Sequence, residues 1–158
     1  MKNLVVFYSR TGITKKVADY LARSMGCDLE EIVDLKDRRG PKGYLVGGKD
    51  AATKKLTEIE ESKKDLAVYD TVIIGTPVWA FTMTPAVRTY IQKNKEQFKK
   101  VAFFCTQHGS GSKRTFRDME TLCEKKPIST LEVTEGQVKK DTCKPKMDEF
   151  VGSIVAAG

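Results

Sequence analysis

Histidine is nearly missing from this chain: His108 is the only one in 158 residues. A zinc site built on imidazoles, or a Ser-His-Asp triad on a nucleophile elbow, has almost nothing to draw on. The four cysteines, Cys27, Cys105, Cys123 and Cys143, lie far apart and form no C-x-x-C pair. That spacing argues against thioredoxin-type redox motifs and zinc ribbons. Cys105 ends the apolar run Val101-Ala-Phe-Phe-Cys105 and reads as a small core hydrophobe, and all four are expected to be reduced thiols. No apolar run approaches membrane-spanning length, and the first one stops at Tyr8-Ser9-Arg10, too short for a signal-peptide core. A cytoplasmic protein with no membrane insertion is the expectation.

What is present fits one globular domain over residues 1–158, with 40% hydrophobic and 31% charged residues. Such a length buries about two-thirds of the unfolded surface. Lys and Arg outnumber Asp and Glu by 28 to 21, a formal charge of +7. The basic residues are spread along the chain among acids, and no zinc finger, RNA-recognition signature or basic-region heptad accompanies them. No nucleic-acid partner is therefore expected.

The most informative stretch is Leu4-Val-Val-Phe-Tyr-Ser-Arg-Thr-Gly-Ile-Thr14. An apolar run too short for a helix breaks into a hydroxyl-rich turn, and an amphipathic pattern follows at once. This is the signature of a strand delivering the chain to a helix N-terminus. There, unpaired backbone N–H groups and the helix dipole attract an anion. Ser9, Thr11 and Thr14 add hydroxyls, and Gly12 lets the backbone close without a Cβ in the way. An ordinary N-cap needs one hydroxyl residue, and this turn holds three.

Four further strand signals follow: Leu29–Leu35, Thr71–Gly75, Lys100–Thr106 and Ile128–Val133. Helical periodicity covers Thr14–Met25, Thr84–Phe98, Lys113–Glu124 and a segment from about Pro145. Thr84-Pro85 supplies an N-cap followed by proline at the first helical position. Alternating strands and helices predict an α/β fold with a parallel sheet, helices on both faces and right-handed crossovers. Ligands in such sheets bind beyond the carboxyl ends of the strands where the winding reverses. That brings together the turns after strands one, three and four: Ser9–Thr14, Thr76–Thr82 and Thr106–Ser112. The long connection from Lys36 to about Ser62 opens with Gly40-Pro-Lys-Gly-Tyr-Leu-Val-Gly-Gly48, which reads as a glycine-rich functional loop.

Several motifs fail on chemistry. Gly43 to Asp50 nearly matches a nucleotide P-loop, but Asp50 stands where a Ser or Thr must hold magnesium. Receiver aspartates should follow strands one and three, where Tyr8-Ser9 and Gly75-Thr76 stand instead. Cys105 lacks the downstream arginine of a phosphatase loop. The stretch Gly75-Thr-Pro-Val-Trp-Ala-Phe-Thr-Met-Thr-Pro85 is different. It puts Trp79, the only tryptophan, and Phe81 just past a buried strand. Aromatics carry roughly 150–250 Å² each, so they either fold back on the sheet rim or form a shelf for a flat ligand.

These residues carry a resemblance. Ser9-Arg10-Thr11-Gly12-Ile13-Thr14 resembles the phosphate loop of the flavodoxin family, T/S-x-T-G-x-T. Pro77-Val78-Trp79-Ala80-Phe81 is similar to the family's ring-binding loop after strand three, with Thr76 preceding it. Thr106-Gln107-His108-Gly109-Ser110-Gly111 falls where its second ring loop lies. The likeness implies a three-layer α/β/α sandwich whose five-stranded parallel sheet has the order 2-1-3-4-5, and FMN at the switch point. It implies that residues 9–14 hold the phosphate, that residues 76–81 line one side of the ring, and that Thr106, Gln107, His108, Gly109 and Gly111 line the other. Tyr44 is expected to cover an exposed ring face.

The implied role is to pass electrons between redox partners, the alternative being an FMN-dependent reductase of a quinone-type acceptor with His108 as proton donor. The basic character departs from the acidic family habit. Lys36, Arg38, Arg39, Lys42 and Lys49 against Asp34 and Asp37 leave a local charge of five minus two, +3. That excess implies a less negative potential and partners with acidic docking surfaces. Many relatives have a glycine near position 80, where a flipped peptide needs positive φ. Ala80 is expected to resist that conformation, because its Cβ is crowded there.

Overall fold

The computed structural model describes residues Met1–Gly158. One parallel sheet contains β1 (Asn3–Phe7), β2 (Asp28–Glu31), β3 (Thr71–Pro77), β4 (Lys100–Gln107) and β5 (Thr130–Thr134). Their spatial order is β2-β1-β3-β4-β5, as the resemblance implied. Every residue of β1 is buried, as are the first six of β3, which explains their unbroken apolar character.

The pleat distributes that apolar surface to two cores. Leu4, Val6, Val72, Ile74 and Phe103 face one side, where Val87 and Ile91 of α3 (Pro85–Asn94) and Met119 of α4 (Ser112–Cys123) cover them. Val5, Phe7, Ile73 and Phe104 face the other, under Val17 and Leu21 of α1 (Ile13–Met25) and Phe150 and Ile154 of α6 (Lys144–Ala156). Each fully buried side chain of this size contributes about 1.5–3 kcal/mol. The result is a three-layer sandwich with the carboxyl ends of β1, β3 and β4 at one edge.

The helix starts follow their local chemistry. Gly12 caps α1 at φ 93°, a left-handed conformation that glycine adopts without a Cβ penalty. Thr84 accepts the Val87 N–H ahead of Pro85, as its sequence predicts. α3 ends at Asn94, and a 3₁₀ turn over Lys95–Gln97 carries the chain on to Phe98.

Three segments differ from their sequence reading. The glycine-rich stretch is a helix, α2 (Gly40–Ala52), opened by Pro41. Two of its glycines mark close contact: a Cβ on Gly43 would fall 2.1 Å from the Arg38 carbonyl carbon, and one on Gly47 would fall 2.8 Å from Trp79 Cζ3. The predicted second strand keeps only its first half in the sheet. Beyond it the Leu35 N–H donates to Glu58 O and the Glu60 N–H to Val33 O, an antiparallel pairing with the returning chain. A short helix, α5 (Glu135–Lys139), follows β5 behind a Thr134/Gln137 capping box. The four cysteines are free thiols, and burial pushes the Cys105 thiol up to about 12. No helix is long and apolar enough to cross a membrane.

Candidate functional site

The turn after β1 is shaped by its own short-range bonds. The Gly12 N–H donates to Ser9 Oγ at 3.0 Å, leaving the Ser9 O–H free to donate outward. The Thr14 and Thr106 hydroxyls share a 2.8 Å hydrogen bond that ties the turn to the end of β4. One of those two hydrogens remains available to a third group. The N–H groups of Thr11, Ile13, Thr14 and Lys15 find no acceptor in the protein. They converge at the positive end of a 13-residue helix, the arrangement that receives an anion.

Next door, Trp79 and Thr82 exchange backbone hydrogen bonds of 3.0 and 3.1 Å and close a two-residue turn. Its central residues are Ala80 at φ 50° and Phe81 at φ 65°. Ala80 thus already occupies the left-handed region it was expected to resist. A tight antiparallel turn needs positive φ at both centres to match strand twist, and closure of the pair outweighs roughly 1–2 kcal/mol per residue. The Trp79 indole stands edge-on to Tyr8, with centroids 5.6 Å apart. It packs on the rim and also walls the cleft, so the two alternatives for this aromatic coincide. Gly111 lets the third turn approach, because a Cβ there would meet Val78 Cγ1 at 2.7 Å.

α2 closes the remaining side, held by charge. Arg38, only 4% exposed, donates from Nε to Asp34 at 2.6 Å and from Nη1 to Asp50 at 3.1 Å. Burial opposes the charge on both Arg38 and Asp50. The hydrogen bonds outweigh it, raising the arginine and lowering the carboxyl, to which Lys36 also donates at 3.0 Å. The Arg38 guanidinium lies 5.9 Å from the Trp79 ring centroid. Arg10 turns its Nε to the Arg38 carbonyl at 2.9 Å and its Nη2 to the Gly40 carbonyl at 3.0 Å.

These elements enclose a cleft of about 370 Å³. Of the predicted site residues, Arg10, Thr11, Ile13, Thr14, Tyr44, Pro77, Val78, Trp79, Ala80, Thr106, Gln107 and His108 line it. Ser9, Gly12 and Gly111 shape the backbone behind it, and Gly109 lies outside the lining. Thr76 is buried, donating to the Pro77 carbonyl and accepting the Thr84 N–H. Phe81 is 56% exposed and also lies off the lining.

Leu45, Gly48, Lys49 and Glu135 also line the cleft, none of them among the residues expected to bind the cofactor. The first three belong to α2, a helix where the glycine content predicts a loop. Glu135 was signalled only by the capping box that begins α5. Its carboxylate accepts from Lys139 at 2.6 Å, which with His108 holds its pKa below the usual range, and it lies 3.3 Å from His108 Nδ1. Pairing reduces the local +3. Asp50, the residue after Lys49, pairs Lys36 and Arg38, and Asp37 pairs Arg39. Of that set Lys42 and Lys49 remain without an acidic partner, as does Arg10 in the cleft lining.

Together, the fold and site define a doubly wound α/β protein with an unpaired helix start and an aromatic wall at its switch point. A family model described as flavodoxin matches residues 2–151, and the chain belongs to that family. No curated protein matches it. By fold it is similar to a flavoprotein from Lactobacillus acidophilus NCFM, solved in complex with FMN. The two share 23% identity over 88% of this chain and 97% of that one, with a TM-score of 0.74. Oxidised flavodoxin 2 from Bacillus cereus is 16% identical, with full coverage of both chains and a TM-score of 0.60.

Proposed function

We propose that this cleft holds FMN and that the protein passes electrons between redox partners. One observation carries the reading: free N–H groups of a helix start and a tryptophan wall open into the same space. That pairing suits a molecule with a phosphate at one end and a flat ring at the other. The phosphate accepts from the N–H groups of Thr11, Ile13, Thr14 and Lys15 and from the hydroxyls of Ser9, Thr11 and Thr14. Trp79, with Pro77, Val78 and Ala80, bears on one side of the ring, and Thr106, Gln107 and His108 border the other. Tyr44 and Leu45 of α2, both exposed, shield the mouth from water. FMN bound there supplies the redox chemistry that the side chains lack.

Arg10 and Lys49 line the cleft without an acidic partner and lend it positive charge. They favour a negatively charged reduced cofactor and steer partners with acidic docking surfaces. A less negative potential than in acidic relatives follows, at about 59 mV for each ~1.4 kcal/mol in a one-electron step.

A second reading draws on the His108–Glu135 pair at the cleft edge: a reductase of a small acceptor, with His108 holding a proton beside the ring. Adding FMN to purified protein tests both. A carrier develops a bound-flavin visible spectrum and exchanges electrons with an acidic partner, without turning over nicotinamide and quinone. Steady-state turnover of that pair, lost in His108→Gln, establishes the reductase instead.

A further inference from the structure

The two walls of the cleft are physically joined, and the joint runs through two arginines. Arg10 belongs to the phosphate turn, yet both of its hydrogen-bonding ends are fastened to carbonyls across the cleft, at Arg38 and Gly40. Its guanidinium also lies 5.7 Å from the Tyr44 ring centroid. The Arg38 backbone is fixed in turn, since Gly43 is packed against it too closely for any Cβ. The Arg38 side chain continues the path inward. Two aspartates grip its fork, and its charged plane lies against Trp79 within cation–π range. Gly47 then bears on the indole directly.

A buried charge of this kind costs several kcal/mol to desolvate, and an arginine that only fastened α2 would have no need to meet the indole. We infer that Arg10 and Arg38 are positioning residues that carry the state of the phosphate turn to the tryptophan wall. Anion binding at the first crossover thereby fixes the indole before any ring arrives. The inference rests on the anion-seat reading above. It differs from that reading in making Trp79 sensitive to a ligand that never touches it. Contiguous, rigid, charged contacts are the physical means by which two sites share coupling free energy.

The single tryptophan makes the test clean. Protein freed of flavin is titrated with inorganic phosphate at constant chloride ionic strength, following Trp79 emission and, separately, ³¹P line broadening. Emission is expected to change saturably, with the half-saturation seen by ³¹P. Arg38→Lys keeps the charge but loses the fork, and ³¹P binding persists in it. Arg10→Met removes one positive charge from beside the seat and weakens phosphate, so it is compared with the parent at saturating phosphate, as followed by ³¹P. The emission response in both falls at least about fivefold, the lower end of ordinary intersite coupling. Circular dichroism confirms that both variants are folded.

Phosphate binding without an emission change in the parent protein overturns the coupling and leaves the anion seat intact. So does an undiminished response in either variant. Absent ³¹P broadening overturns the coupling as well. It takes the anion seat with it when FMN also fails to bind.

Discussion

The turn after β1, proposed above to seat the phosphate, and the α2 wall line one cleft and are built by opposite means. Residues 9–14 shape themselves: a serine three residues back, a left-handed glycine and a helix start define the seat over six positions. The α2 wall borrows its shape from afar. Asp34, Arg38 and Asp50 hold it by buried charge, and two of its glycines, Gly43 and Gly47, touch the Arg38 backbone and the Trp79 ring. A site made of backbone and neighbours survives most substitutions around it, whereas one made of mutually paired charges fails when any single partner is lost.

The largest expected effect removes the hub of the second wall. Arg38→Met leaves the buried Asp34 carboxylate without its cation and Asp50 with Lys36 alone, and should cost about 3–5 kcal/mol in urea unfolding. If the loss is below ~1 kcal/mol, the contrast between the walls collapses. Gly47→Ala forces a methyl into the Trp79 ring and should cost about 1–3 kcal/mol while blue- or red-shifting Trp79 emission. Gly48→Ala, one residue on, meets nothing within 4 Å and should stabilise α2 by about 0.5–1 kcal/mol. Equal effects at the two positions would mean that Gly47 is not a contact glycine.

Acid gives the mildest test. The Asp50 carboxyl is depressed in the folded protein, and hydrogen bonds from Arg39 lower exposed Asp37 to about 2. Depressed carboxyls stabilise fully above their unfolded value of about 3.9 and lose that contribution as pH falls through the folded value. Trp79 emission should therefore hold steady down to about pH 4 and drift below it. A transition near neutral pH would assign the wall to a different group.

The same contrast explains what the sequence disclosed. The phosphate turn was legible because strand, hydroxyls, glycine and helix are contiguous, and the sheet order followed from the family resemblance those residues carry. α2 was misread as a loop because glycine is poor in helices by propensity, and only tertiary contact reveals why Gly43 and Gly47 are tolerated. The paired state of Lys36 and Arg38 was invisible for a related reason. Asp50, their partner, lies beyond Lys49 in the chain and meets them only once α2 folds back. Ala80 was judged by its Cβ alone, whereas the reciprocal Trp79–Thr82 bonds decide its φ. Glu135 stayed hidden although its capping box was readable.

The central claim, that one cleft grips a phosphate and shelters its ring, is tested most directly by comparing the dissociation constants of FMN and riboflavin through Trp79 quenching. Several charge-assisted bonds of about 1.5–3 kcal/mol each predict that FMN binds at least about a hundredfold more tightly. Replacing Thr11 and Thr14 by alanine should then weaken FMN and leave riboflavin nearly unchanged. Equal affinities for the two flavins, or no quenching by either, would contradict the account.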